Sequence, residues 1–455
     1  MKENTDGTAI FRDAPVPQAV LKNAVPAMLA MLMVLVYNLA DTFFIGQTHD
    51  PLQVSAVALA TPVFLIFMSV GTVFGIGGTS VISRSLGEGR PEYARRVCAF
   101  CMWACVAVGV AMAACLLVFM EPLLGLIGAS ADTWEMTRSY LTIVSFAGPF
   151  VLIANCYNTV IRAEGQSGRA MMGQLLGNAL NVVLDPVFIL LLHWNVTGAA
   201  VATVIGNVVG AGYYILYFLR GRSTLSVNLR DVTLRDRVMS GVLAIGVPAA
   251  LGSFFMSLSQ IAANSKMSAY GDLAVAGYGV AAKVVMITGM VCIGLGQGVQ
   301  PLLGYCVGAA LSGRFRKVMR FSLVLGFGLS AAMAGICYGL TGQIVGAFLR
   351  DPDACAFGVR FSRILLTTSF LFGVFYVLLN AIQAAGAGKE ALVVNVSRQG
   401  VIYIPAMLIL EAAVGSTGIV WAQPVADVLS LTLVCVLYRR CVKKIFEMGK
   451  AASPS

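Results

Sequence analysis

Residues 21–46 read LKNAVPAMLAMLMVLVYNLADTFFIG, an apolar run of helix length with Pro26 near its start and Asp41 near its end. An ionised Asp in hydrocarbon costs roughly 2.5–3.5 kcal/mol, so such acids normally face a cavity and take part in transport. Asn38 precedes Asp41 by one turn and Tyr37 precedes it by four residues, a spacing that turns all three toward one side of a helix. The alternative is an Asp that merely caps the run at the membrane interface.

The rest of the chain settles the setting. Of 455 residues, 58% are hydrophobic and 11% charged, far below the roughly 25% charge typical of soluble domains. Twelve segments reach the roughly 20 apolar residues that a span requires: 20–45, 54–83, 95–119, 137–161, 171–192, 198–219, 238–262, 274–306, 318–340, 358–383, 391–410 and 416–438. The expected fold is an all-α polytopic membrane protein with twelve transmembrane helices. The first residues, MKENTDGTAIFRDAPVPQ, are polar and show no cleavable signal.

Charge placement gives the orientation. Arg84, Arg90, Arg95 and Arg96 follow span 2, Arg162 and Arg169 follow span 4, and Arg220, Arg222, Arg230, Arg235 and Arg237 follow span 6. Arg314, Arg316, Lys317 and Arg320 follow span 8, and Arg439, Arg440, Lys443 and Lys444 close the chain, whereas loops 46–53, 193–197 and 411–415 carry no Lys or Arg. The positive-inside rule then puts both termini in the cytoplasm of a multi-pass cell-membrane protein. The net charge of +10 follows from that orientation and gives no case for nucleic acid as a partner. Most of the eleven cysteines sit in apolar spans without ligand-pair spacing and read as small hydrophobes, with no metal site expected. The two histidines, His49 and His193, fall in outward loops and cannot relay protons within the membrane.

The chain also repeats itself. Val25-Pro26-Ala27 recurs as Val247-Pro248-Ala249, and FGIGGTSVISRSLG (74–87) aligns without gaps to LGQGVQPLLGYCVG (295–308), sharing glycines at 75/296, 77/298 and 87/308. Asn158 matches Asn380, and Thr197-Gly198 matches Thr417-Gly418. With six spans per copy, an even number, the expected plan is two six-helix bundles related by a pseudo-two-fold axis along the membrane normal. This divides the chain into a cytoplasmic segment 1–19, a first bundle 20–219, a linker and hinge candidate 220–237, a second bundle 238–438 and a tail 439–455.

Five charges lie well inside spans: Asp41, Asp185, Lys283, Arg398 and Asp427. Counted from the cytoplasmic ends, Asp41 lies ~30 Å along span 1 and Asp185 ~21 Å along span 5, so the two carboxylates can meet in the outer part of the membrane. Asn181 shares the Asp185 face, and Pro186 frees backbone carbonyls one turn back for a cation. Asn155, Asn158 and Thr203 are placed to join the cluster, although interhelical hydrogen bonding by Asn and Thr is the ordinary alternative. In the second half, Asp427 is expected either to pair with Lys283 or Arg398 or to mark a second ion site. Met31, Tyr37, Met256 and Met286 are candidate walls of a broad apolar substrate chamber between the halves. Pro26 is a candidate hinge, the alternative being a proline in the first helical turn.

The double repeat, the VP pairs, YNLADTFFIG in span 1, GGTSVISRSLGEG after span 2 and NVVLDP in span 5 together resemble the multidrug and toxic compound extrusion (MATE) family. Acids in spans 1 and 5, rather than 7 and 8, are similar to its DinF-like branch, which includes MepA-type multidrug exporters. The resemblance implies an antiporter, not an enzyme, that exchanges H⁺ or Na⁺ for amphipathic, often cationic, drug-like molecules, with no other cofactor. It implies a cation site at Asp41, Asn155, Asn158, Asn181, Asp185 and Thr203, a cavity aromatic at Tyr37 and a bend at Pro26. A monomer in the lipid bilayer is expected. The competing readings are a lipid-linked saccharide flippase, whose pyrophosphate calls for several cavity Arg or Lys where only Lys283 and Arg398 occur, and a membrane enzyme, for which the loops show no catalytic motif. No GxxxxGK[ST] loop occurs, so no ATPase partner is expected.

Overall fold

A computed structural model describes residues 8–47, 50–221, 223–233 and 236–451; His49, Arg222 and Arg235 lie outside the described residues, as does the side chain of Lys444. The main helices are α1 (Val16–Gly46), α2 (Pro51–Gly87), α3 (Pro91–Val118), α4 (Trp134–Phe146), α5 (Gly148–Val160), α6 (Ser167–Asp185) and α7 (Asn195–Leu219). They continue as α8 (Val238–Met267), α9 (Asp272–Gly308), α10 (Ser312–Gly339), α11 (Pro352–Ser369), α12 (Phe372–Ala384), α13 (Gly388–Val396), α14 (Tyr403–Val414) and α15 (Ser416–Ala451). Among the described residues, ten helices are long and apolar enough to cross a membrane, and two bent pairs, each taken as one span, bring the number to twelve, as the sequence leads one to expect.

Local chemistry explains the boundaries. Asp50 caps α2 by accepting from the Leu52 N–H at 3.0 Å, with Pro51 at the first helical position, and Asp351 does the same for α11, taking the N–H groups of Asp353 and Ala354. Spans 4 and 10 each break, by 58° between α4 and α5 and by 49° between α11 and α12. Pro149, the second residue of α5, cannot donate the bond that would carry α4 onward. After Asp185, Pro186 opens the ladder into a wider turn over Pro186–Leu191, where the Leu192 N–H reaches back to the Val187 carbonyl at 2.9 Å. A second wide turn, Ser397–Val401, follows α13.

The chain packs as two units, one built on Leu32–Gly246 and the other on Phe11–Met31 together with Val247 onward. Helices α1 and α8 therefore each change unit along their length. The start of α1 is held in the second unit by α9: a Cβ at Gly294 would lie 2.6 Å from the Met28 Cα, and one at Gly298 would lie 2.6 Å from the Ala24 Cα. In the first unit, Gly77 of α2 takes the backbone of Val242 of α8 in the same way. The glycines repeated at 77/298 thus do one job in each unit, admitting the backbone of a first-span helix where any side chain would collide. The connection between the units is strapped to the first one. The Ser223 hydroxyl donates to both Glu164 carboxylate oxygens, the Thr224 N–H to Oε2, the Arg95 Nε–H to the Thr224 carbonyl, the Trp103 Nε1–H to the Val227 carbonyl, and Arg96 pairs with Asp236 at 3.1 Å.

Helices α6 and α7 cross where Gly177 and Gly206 face each other, a Cβ on either lying 2.7 Å from the other's carbonyl oxygen. Gly206→Val is expected to lower the thermal unfolding midpoint by the equivalent of about 1–3 kcal/mol of overpacking. Gly212→Ala, which meets nothing within 4 Å, should leave it unchanged. Equal midpoints for the two variants would show that this crossing does not depend on its glycines.

Candidate functional site

Within the first unit, α1, α2, α5, α6 and α7 enclose a cavity whose lining includes Val34, Tyr37, Phe64, Met68, Asn155, Gln174, Asn178, Asn181, Thr203 and Asn207. Asp185 is fully buried beside it, with Asp41 near enough for the two charges to interact. Tyr37 and Tyr140 both lie within electrostatic range of the two carboxylates and beside Thr203. Asn181, one turn before Asp185, bridges the helices: in the amide orientation that satisfies its neighbours it donates to Asp185 Oδ2 at 3.1 Å and accepts from the Thr203 N–H at 3.0 Å.

The remaining amides are oriented by their own helices. Asn155 donates to the Val151 carbonyl at 2.9 Å and Asn207 to the Thr203 carbonyl at 2.8 Å, each four residues back. Their nitrogens are therefore committed, and their carbonyl oxygens are the atoms left for a ligand. Among the described residues, Asp41 Oδ1 and Asp185 Oδ1 are buried without a hydrogen-bond partner. Carboxylate and amide oxygens are hard donors suited to a proton or an alkali cation, and ill suited to soft metals.

Not every residue singled out in the sequence converges here. Asp41, Tyr37, Asn155, Asn181, Asp185 and Thr203 do. Asn158 is directed elsewhere, its Oδ1 accepting from Arg162 Nη2 at 2.7 Å. Asn38 is exposed rather than turned into the cavity, because one residue step rotates it about 100° from Tyr37. Met31 and Met286 are half-buried in the second unit and Met256 is 48% exposed; none lines this cavity. Pro26 lies inside α1, which begins at Val16, so it is not a first-turn proline. Conversely, Gln174, Asn178, Asn207 and Tyr140 escaped the sequence reading. Gln174, Asn178, Asn181 and Asp185 nevertheless form a polar stripe at helical spacing, a signal that was there to be read.

The second unit offers the contrast. Arg398 donates to Asp427 Oδ1 through Nε at 3.0 Å and Nη2 at 2.9 Å, while Thr368 and Gln423 supply further donors to the same carboxylate. The guanidinium also donates to the Tyr376 hydroxyl and sits 4.4 Å from the Phe375 ring centroid. Of the two expectations for Asp427, the pairing with Arg398 is the one observed. Lys283 takes no part, lying over the Phe348 ring at 5.6 Å.

The MatE family model matches the chain twice, over residues 26–187 and 248–409. The chain belongs to the MatE family. The two matches are the duplication seen in the repeated glycines, and the membership makes this a multi-pass membrane transporter. Among MatE relatives, the chain is 30% identical over 430 residues to the multidrug export protein MepA of Staphylococcus aureus (strain MSSA476), covering 94% of this chain and 95% of that one. It is 28% identical over 417 residues to MepA of Staphylococcus haemolyticus (strain JCSC1435), covering 92% of each. A solved structure described as the outward-facing conformation of a multidrug resistance MATE family transporter of the MOP superfamily superposes with a TM-score of 0.92 at 22% identity, over 98% of this chain and 99% of that one. The MatE cavity described above thus sits in a fold shared along nearly the whole chain.

Proposed function

We propose that this protein is a cation-coupled antiporter that exports amphipathic, often cationic drugs by alternating access, with H⁺ or Na⁺ bound at the Asp41–Asp185 site. The observation that carries this reading is a pair of interacting carboxylates, each with a buried oxygen left unsatisfied, beside an amide-lined cavity. An ionised pair in that setting is costly, and a bound proton or cation relieves the cost. The drug-export activity named for the MepA relatives supports the cargo class. Charge placement supports an orientation with both termini in the cytoplasm, and a monomer contains every element of the site. A flippase reading loses its principal cavity cation, because Arg398 is engaged by Asp427.

The test is dye efflux from proteoliposomes with proton and sodium gradients imposed separately. Export driven by at least one gradient is expected, and export indifferent to both would sink the reading. Pro26 is proposed as the point at which α1 bends between states, since a mid-helix proline lacks one backbone bond. Pro26→Ala should lower turnover several-fold while leaving drug affinity in place. Unchanged turnover and pH dependence would remove the hinge.

A further inference from the structure

In the second unit, α11 carries two arginines that no carboxylate among the described residues pairs with. Arg360 and Arg363 stand about one turn apart, both exposed, and neither takes part in an ion pair. Helix α10 starts in the basic connection at Ser312 and runs 28 residues, about 42 Å, away from it, while α15 ends among Arg439, Arg440 and Lys443. The first turns of α11 and α15 therefore lie at the opposite end of the unit. Lys266, at that same end, is matched by Glu411 at 3.2 Å. Asp351 and Asp353 stand at the very start of α11, about 10 Å of helix before Arg360.

Both arginines open onto a groove of about 660 Å³ between α11 and α15, lined with them by Val359, Ile364, Thr417 and Trp421. That volume falls within the roughly 300–1,000 Å³ of small-molecule sites. Residues three apart on a helix set their Cβ atoms about 5–6 Å apart, so the two guanidinium groups can close on one phosphate, whose oxygens suit their planar donors. Arg363 is steadied by Tyr338, whose ring centroid lies 5.5 Å from its guanidinium carbon. From Trp421 the exposed face of α15 continues through Val425, Val428 and Leu429, a single apolar row at helical spacing. Trp favours the depth at which headgroups meet acyl chains. A charged end followed by an apolar run is also the order of parts in a phospholipid.

We propose that this groove binds an anionic phospholipid: Arg360 and Arg363 take the headgroup phosphate beside Thr417, and an acyl chain lies along Trp421, Val425 and Val428. Basic pockets between transmembrane helices recognise anionic headgroups in this way. A cationic drug is repelled by the same two charges, so the groove is no route for the proposed cargo. A soluble anion would leave the apolar row uncovered, and phosphatidylcholine would bring a quaternary ammonium up to two arginines.

The test uses the full-length protein, stripped of lipid in a neutral detergent and titrated with phosphatidylglycerol or phosphatidylcholine of equal chain length, with bound lipid counted by native mass spectrometry. Wild type should hold one phosphatidylglycerol about tenfold more tightly than phosphatidylcholine, the order expected of one additional charge-assisted hydrogen bond. Arg360→Gln with Arg363→Gln should bring the two lipids level. Trp421→Ala should weaken both lipids alike, since it shortens the apolar contact and leaves the charge. Equal retention of the two lipids by wild type overturns the site, and so does a Gln pair that keeps the preference. Inorganic phosphate that displaces phosphatidylglycerol at equal concentration would make this a free-anion site and overturn the lipid. Because both arginines are exposed, the Gln pair should unfold at the wild-type midpoint without lipid, whereas phosphatidylglycerol should raise the midpoint of wild type alone. A midpoint raised equally in the Gln pair overturns the assignment to these arginines. If the Gln pair does not fold, Arg360→Gln alone should lose part of the preference, and a preference kept whole overturns the site.

Discussion

Asp41→Asn is expected to abolish gradient-driven efflux while protein level and drug binding persist, and Asp185→Asn to do the same, the largest functional effect expected of any single substitution. Asn preserves the size of Asp41 and much of its hydrogen-bonding capacity but cannot carry charge. If the acids only fastened α1 to α6, the variants would keep working. If the pair holds the coupling ion, they cannot respond to a gradient. One elementary charge crossing 100 mV supplies about 2.3 kcal/mol, so losing one coupled charge removes most of a concentrative gradient. Efflux should be followed in proteoliposomes with each gradient imposed in turn, and binding by fluorescence in detergent. Wild-type rates with unchanged pH and sodium dependence in both variants would rule out the coupling site.

The second large effect concerns stability. Asp427→Ala leaves the Arg398 guanidinium, 7% exposed, without its carboxylate, and stranding one member of a buried ion pair costs about 3–5 kcal/mol. Replacing both, as Arg398→Met with Asp427→Leu, removes the uncompensated charge and should recover most of that loss. Thermal unfolding in detergent separates the outcomes. A double variant as unstable as Asp427→Ala would mean that the residual cost comes from the stacking of Arg398 on Phe372, Phe375 and Tyr376 and not from a stranded charge.

Much of the fold was legible because the bilayer imposes a coarse rule: hydropathy marked all twelve spans, and the repeated glycines announced a duplication. The breaks in spans 4 and 10 were harder to see. Gly148-Pro149 signals the first, but Phe370-Leu371 carries no breaker residue, so that bend depends on what packs around it. At the site, the two acids, Asn155, Asn181 and Thr203 could be placed because charge and amide are conspicuous in apolar sequence. Asn158 looked equivalent to Asn155 by type, yet it lies a turn further along α5 and meets Arg162 instead. Tyr140 escaped notice because its approach to Thr203 depends on the tilt of α4 relative to α5 across the break, which no local pattern encodes. The Arg314 side chain shows the same limit from another side. As a sequence feature it is one of several loop charges, whereas in the structure its Nε and Nη2 donate to the Phe11 and Ala14 carbonyls.

That last contact, with the seating of Ala24 and Met28 against Gly298 and Gly294, bears on how the molecule is made. The stretch Phe11–Met31 belongs to a structure whose other members are synthesised from Val247 onward. During synthesis, the beginning of α1 must wait in the membrane without its native neighbours while most of the polypeptide follows. The loop closed when it finally docks is among the longest the chain can form, so its closure is a slow and late step. A ribosome halted before α9 would release an amino-terminal fragment in which Phe11–Met31 lacks the partners it packs with in the finished protein. Maturation should therefore be quality-controlled at completion rather than half by half.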